Sequence, residues 1–331
     1  MSRTRFRSAP RPKRTCAETD CRREQENPLD APVIAVFTKN RTNPAYTAAR
    51  LGADRVAARM GARIAHYIPD KPDDLAQQQA LVERAIAERP DAAVFVPVHA
   101  TAMGDSVRKL DAARIPTVNY LNRLEEGRFV SYVGSDDYRL ARDIAAYLFL
   151  HLGGRGDIVI LEGVPAAVTS QERMRGFRDA LKDAPGMRVA ASRAADYQQE
   201  TARRAMSELL AELRQLDGIL CANDVMALGA IEALKAAGRR VPLVGVNAIP
   251  EAITAIKHGA LLATVDFDAL KIASIATEAA IRHLRGERVP AEIILPVNIV
   301  DASNYQAWDR PLEARASPRW EDVVSGVTGR R

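Results

Sequence analysis

Ile219-Leu220-Cys221-Ala222-Asn223-Asp224-Val225-Met226-Ala227-Leu228-Gly229-Ala230 decides the reading of this chain, because an apolar strand stops there and an amphipathic helix begins. Polar side chains at such a junction can face a ligand. Asn223 either caps the helix through its side-chain oxygen or turns its amide into a crevice at the carboxyl end of a parallel sheet. The cap alone is the plainer reading. Similar groups at other strand ends shift the balance towards a site.

Working outward, short β-branched runs alternate with helix-length amphipathic segments from Pro32 onward, the pattern of repeated βα units. The expected strands are Val33 to Phe37, Arg63 to Ile68, Ala93 to Pro97, Thr117 to Tyr120, Asp157 to Leu161, Arg188 to Ala194, Gly218 to Cys221, Leu243 to Val246, Ala260 to Val265 and Ile293 to Ile299. Helices lie between them. The one from Ala45 to Met60 puts Leu51, Val56 and Met60 on one stripe, with Asn43-Pro44 opening it and Gly61 closing it. The alternation pauses at a short extra strand, Phe129 to Val133, and Gly134-Ser135-Asp136-Asp137 then leads into a helix from Asp137 to His151. Asp136 and Asp137 read as caps of that helix. Two αβ series joined at such a point predict an α/β chain of two doubly wound parallel-sheet lobes.

Composition agrees with this class. The chain has 331 residues, room for two compact domains, and 47% of them are hydrophobic although only 5% are aromatic. Aliphatic residues dominate, as they do where helices cover both faces of a parallel sheet. The formal charge is +5, and residues 1–31 carry eight basic groups against five acidic ones, so this leader reads as a disordered basic tail. A nucleic-acid arm is the alternative, and the folded body shows no basic stripe. Cys16 and Cys21 lie in the leader, and Cys221 at a strand end reads as a small buried hydrophobe; no metal or disulfide set is expected. Nothing before Ala31 supplies the apolar stretch of a secretory signal, so read literally the chain is not exported. Residues 305–331, rich in Arg, Pro and Trp, form an extension that lies on the body or runs free in solvent.

Several polar or aromatic residues fall just past a predicted strand. They are Lys39, Asn40, Asn43 and Tyr46 after the first, Asn122 and Arg123 after the fourth, and Gln171, Glu172, Arg173, Tyr197, Asn223, Asp224 and Asn247 in the second half. Each has a structural alternative: Asn43 and Asn247 as caps or turn formers, Arg173 in a surface ion pair, Tyr46 and Tyr197 in the core or at its rim. Together they suit a neutral polyhydroxylated ligand, because amides both donate and accept, a guanidinium donates in a fork, and a ring face receives C–H groups. Phosphate fits less well without a Gly-x-x-x-x-Gly-Lys loop or a Gly-x-Gly-x-x-Gly after the first strand. The five histidines (His66, His99, His151, His258 and His283) are scattered and no hydrolase motif is present, so neither catalysis nor a cofactor is expected.

The body from about Pro32 to Asn304 resembles the ribose-binding-protein-like group of type I periplasmic sugar-binding proteins, whose fold is shared by the effector domains of LacI-type repressors. The resemblance rests on Thr42-Asn43-Pro44-Ala45-Tyr46, Ile115-Pro116-Thr117-Val118 leading to Asn122-Arg123, Val133-Gly134-Ser135-Asp136-Asp137, Glu172-Arg173-Met174-Arg175-Gly176-Phe177, Asn223-Asp224 with its helix, and Val244-Gly245-Val246-Asn247. It implies ligand contacts from Asn43, Tyr46, Asn122, Arg123, Asp137, Arg173, Tyr197, Asn223 and Asn247, with Phe267 and Asp268 near the hinge. Pyranose-binding members usually place Asp where this chain has Asn122 and Asn247, an aromatic where it has Ala45 and Gln where it has Phe267, so the hydroxyl pattern read here differs.

By the same resemblance the lobes are discontinuous. Residues 32–135 plus 268–297 would form the first, residues 136–267 plus 298–304 the second, and three crossings a hinge that closes on ligand. The implied role is to bind a sugar or polyol and deliver it to an ABC transporter permease in the periplasm, as a monomer without a nucleic-acid partner. The alternative is a ligand-sensing cytoplasmic regulator, although the leader is about half the roughly 60 residues that a LacI-type DNA-binding region needs and lacks its apolar helical pattern.

Overall fold

The computed structural model describes residues 31–99, 101–124 and 126–328. The basic leader, with Cys16 and Cys21, lies outside the described residues. A first βα series runs through β1 (Val33–Phe37), α1 (Pro44–Met60), β2 (Arg63–Tyr67), α2 (Leu75–Glu88), β3 (Ala92–Phe95), α3 (Gly104–Ala112), β4 (Thr117–Tyr120) and β5 (Ser131–Gly134). A second continues through α4 (Asp137–His151), β6 (Arg155–Glu162), α5 (Val168–Lys182), β7 (Gly186–Ala194), α6 (Gln199–Glu212), β8 (Gly218–Cys221), α7 (Asp224–Ala236), β9 (Leu243–Val246), α8 (Pro250–Lys257) and β10 (Ala263–Asp266). The chain then returns through α9 (Ala269–Leu284), β11 (Glu292–Ile294) and β12 (Asn298–Asp301), and ends in two 3-10 turns, Tyr305–Ala307 and Leu312–Ala314, and α10 (Trp320–Thr328).

These strands make two six-stranded sheets, ordered β11-β5-β4-β3-β1-β2 and β12-β10-β9-β8-β6-β7. Every pairing is parallel except β10 with β12. Helices cover both faces, which is why the central strands β3, β4, β8 and β9 are buried at every position. The expected pair of doubly wound α/β lobes is therefore present. Helix α9, though it follows β10 of the second sheet, packs on α1 and on the first sheet. The chain passes between the sheets three times, at 134–137, 266–269 and 294–298.

The last passage corrects the expectation of one strand from Ile293 to Ile299. The run splits at Leu295-Pro296-Val297, its first part pairing with β5 and its second with β10 in the other sheet. Proline cannot donate to a ladder, so the break falls there. Helix pairing explains the glycine of the Arg-x-x-Gly-Phe motif. A Cβ on Gly176 would lie 2.3 Å from the backbone oxygen of Tyr138, so the close approach of α5 to α4 requires glycine.

Candidate functional site

One wall of the site is the carboxyl edge of the first sheet. The turn after β1 is tied by Asn43, whose Oδ1 accepts from the Ala45 N–H at 3.0 Å to cap α1, while the Asn43 N–H donates to Asn40 Oδ1 at 2.9 Å. Pro44 at the first helical turn presets the backbone, so Tyr46 is held over the crevice. Burial raises the Tyr46 pKa well above that of an ordinary phenol, so it stays a hydrogen-bond donor. Lys39 is only 2% exposed and lies 3.2 Å from Asp73, which also accepts from Asn40 Nδ2 at 3.1 Å. Asp73 comes from the loop after β2, folded back by its N–H bond to the Lys39 carbonyl at 3.0 Å with a left-handed φ of 56°. From the fourth strand end, Asn122 lines the cavity, and its Nδ2 is buried without a hydrogen-bond partner. A buried donor left without a partner is costly.

The facing wall comes from the second sheet. Arg173 on α5 donates through Nε to Asp137 at 2.9 Å and through Nη1 to the Ala222 carbonyl at 2.6 Å, with its guanidinium 5.8 Å from the Phe267 ring centre. Burial works against its charge, but Asp137, together with Tyr197 and Tyr46, more than offsets it and Arg173 remains a cation. Asp137 is the first residue of α4 and serves this pair; the cap is Asp136 alone, accepting from the Arg139 N–H at 2.9 Å. Tyr197 bonds Thr169 across 3.2 Å, and its ring lies against Gly163, where a Cβ would be 2.1 Å from the ring carbon Cζ. Asn247, at φ 125°, also faces the cavity.

At the β8–α7 junction the two polar residues part. Asn223 Oδ1 accepts from the Met226 N–H at 2.8 Å, capping α7, and the same side chain lines the cavity. Asp224 turns away from it, accepting from Thr264 Oγ1 at 2.6 Å and the Ile249 N–H at 3.1 Å, and so ties the strand end to its neighbours. Burial pushes its carboxyl up to about 6, against the lowering effect of those donors. Cys221 is fully buried, and burial pushes its thiol well above the ordinary range.

Both walls enclose one cavity. The space open to the centres of water-sized molecules is about 40 Å³. Adding a radius of about 1.4 Å around a rounded shape gives an envelope of roughly 180 Å³, room for about ten non-hydrogen atoms. Asn43, Tyr46, Asn122, Asp137, Arg173, Tyr197, Asn223, Asn247 and Phe267 meet there, joined by Lys39, Asn40, Asp73, Ser135 and Thr169. Asp73 and Thr169 carried no signal in the sequence beyond their position after strand ends. Two expected residues are elsewhere. Arg123 points outward, paired with Glu292 and stacked 4.1 Å above Tyr132, in a hollow at the cleft mouth that also holds Gln171 and Glu172. Asp268 caps α9, its Oδ1 accepting from the Lys271 N–H at 2.9 Å, and is not among the residues that line the cavity.

Residues 34–288 match the family model described as a periplasmic binding protein domain. The chain is 27% identical over 267 residues to the ribose import binding protein of Haemophilus influenzae, covering 81% of this chain and 90% of that one. It is 31% identical over 288 residues to the D-ribose/D-allose-binding protein of Pseudomonas aeruginosa, covering 82% and 90%. Among solved structures, a periplasmic solute-binding protein of an ABC transporter from Actinobacillus succinogenes, with bound D-allose, superposes with a TM-score of 0.79 at 28% identity, over 83% of this chain and 99% of the other. The chain belongs to the type I periplasmic sugar-binding proteins of the ribose-binding family.

Proposed function

We propose that this protein captures a neutral monosaccharide or polyol between its lobes and hands it to an ABC transporter permease in the periplasm, without chemistry. The observation that carries this reading is the pairing of charges in the cavity: Lys39 with Asp73, and Arg173 with Asp137. The formal charges cancel, leaving amides, two aliphatic hydroxyls and two phenols for an uncharged ligand. An envelope sized for about ten heavy atoms suits a single pentose or polyol better than a disaccharide. Relatives named for ribose, allose and xylitol support the class, and the relative named for ribose import favours transport over regulation. Closure would turn on the three passages between the sheets, with ligand touching both walls.

The test is a thermal-shift panel of pentoses, hexoses and polyols, alongside native mass spectrometry of freshly purified protein. At least one sugar or polyol should raise the melting temperature and appear as a bound mass. A panel without a shift, together with protein that carries no small molecule, argues against the sugar reading.

A further inference from the structure

The segment after β12 reaches both lobes. On the second lobe, Trp308 Nε1 donates to Asp266 Oδ2 at 2.5 Å. Asp266 ends β10, at the start of a passage between the sheets, and its other oxygen accepts from the Asp268 N–H at 2.6 Å. Lys257 pairs with Asp309 at 2.8 Å nearby, an exposed contact that adds little. A few residues later the chain is held on the first lobe. Arg55 of α1 donates to the carbonyls of Arg315 at 2.7 Å and Glu313 at 2.5 Å. Beyond that, Trp320 is buried beneath the Arg282 guanidinium of α9, 4.9 Å from its ring centre. All of these strap residues lie outside the stretch 34–288 that matches the family.

We propose that residues 305–328 form a strap, a fourth and non-covalent connection between the lobes that favours the closed cleft. Trp308 and Glu313 are held on different lobes, and five peptide steps reach about 18 Å at most. Pro311, between them, stiffens that reach further. A hinge rotation that carries these points beyond that reach must detach an anchor. The arrangement with every anchor made is also the one that encloses the cavity, so the anchors bias the ligand-free protein towards closure.

The experiment reads lobe separation without any ligand, so it stands whether or not the sugar reading does. Spin labels at Asp105→Cys on α3 and Glu200→Cys on α6, in full-length protein with Cys16→Ser and Cys21→Ser, report the interlobe distance by double electron–electron resonance. Both label sites are exposed. The pair Trp308→Phe and Arg55→Gln removes one anchor on each lobe. A four-residue Gly-Ser insertion between Arg310 and Pro311 leaves every anchor in place but slackens the link, and it decides the matter if the double variant folds poorly. Either change should broaden the distance distribution and move it to longer values. A distribution in the slackened protein identical to that of the parent overturns the proposal.

Discussion

Asn223 holds two roles that substitution can separate. Its Oδ1 caps α7 through the Met226 N–H, while its Nδ2 takes no part in that bond and the side chain lines the cavity. Serine keeps an oxygen that can accept from the same N–H but brings no amide donor; alanine removes both. Asn223→Ala should lower stability by about 1 kcal/mol, the usual worth of a cap, or a melting shift of about 1.5–2 °C for a body of this size. Asn223→Ser should stay within a few tenths of a kcal/mol of the parent. Both should weaken binding of whichever sugar the panel identifies by about five- to tenfold, one neutral hydrogen bond. Differential scanning calorimetry gives the first quantity and isothermal titration the second. A serine variant that melts as low as the alanine one refutes the cap argument, and one that binds as tightly as the parent refutes the ligand contact.

Arg173→Ala leaves Asp137 buried without its partner and frees the Ala222 carbonyl, so a stability loss of about 3–5 kcal/mol in urea unfolding is expected together with a loss of sugar binding; binding that survives within tenfold removes Arg173 from the site. Asn122→Asp replaces an unpartnered donor by a carboxylate in a cavity whose charges already cancel, and should weaken the same sugar by about tenfold or redirect selectivity in the panel; an unchanged profile counts against Asn122 as a specificity group. Asp224, with its pKa raised by burial from 3.8 to about 6, holds a proton when folded that the unfolded chain has released. Its contribution is thus fully present below pH ~4 and lost as pH rises through about 6, a change of about 3 kcal/mol. Urea unfolding from pH 4 to 7 should show that fall in the parent and lose it in Asp224→Asn; parallel profiles sink the assignment.

Strand ends were legible because an apolar run that stops at a polar residue marks the sheet edge, and the cavity-lining Asn43, Asn122, Arg173 and Asn223 all stand past such ends or on the helix that follows one. What position along the chain does not reveal is which way a side chain turns. Asn122 and Arg123 are neighbours, yet one faces the cavity and the other stacks on Tyr132. Asp224 looked like a second cleft group beside Asn223, but its donors Thr264 and Ile249 come from elements 40 and 25 residues away. Asp73 sits in a loop of prolines and acidic residues that reads as a solvated turn; only the fold-back onto Lys39 brings it to the site. The run from Ile293 to Ile299 has the hydrophobicity of one strand, and Pro296 was its single sign of division between two sheets.

The charge arrangement also bears on selectivity. Each wall presents a cation that its own lobe has already paired, Lys39 with Asp73 on one side and Arg173 with Asp137 on the other. Closing the cleft over them would bury ion pairs rather than lone charges, which costs less desolvation than burying either cation alone. A sugar acid would bring a carboxylate into the same enclosed space, where both lining cations are occupied and the two carboxylates repel it. Its uncompensated burial would cost several kcal/mol, while a neutral polyol of the same size meets amides and phenols that can donate and accept. Discrimination against anions is therefore the outcome expected from Asp73 and Asp137, the residues that pair with Lys39 and Arg173.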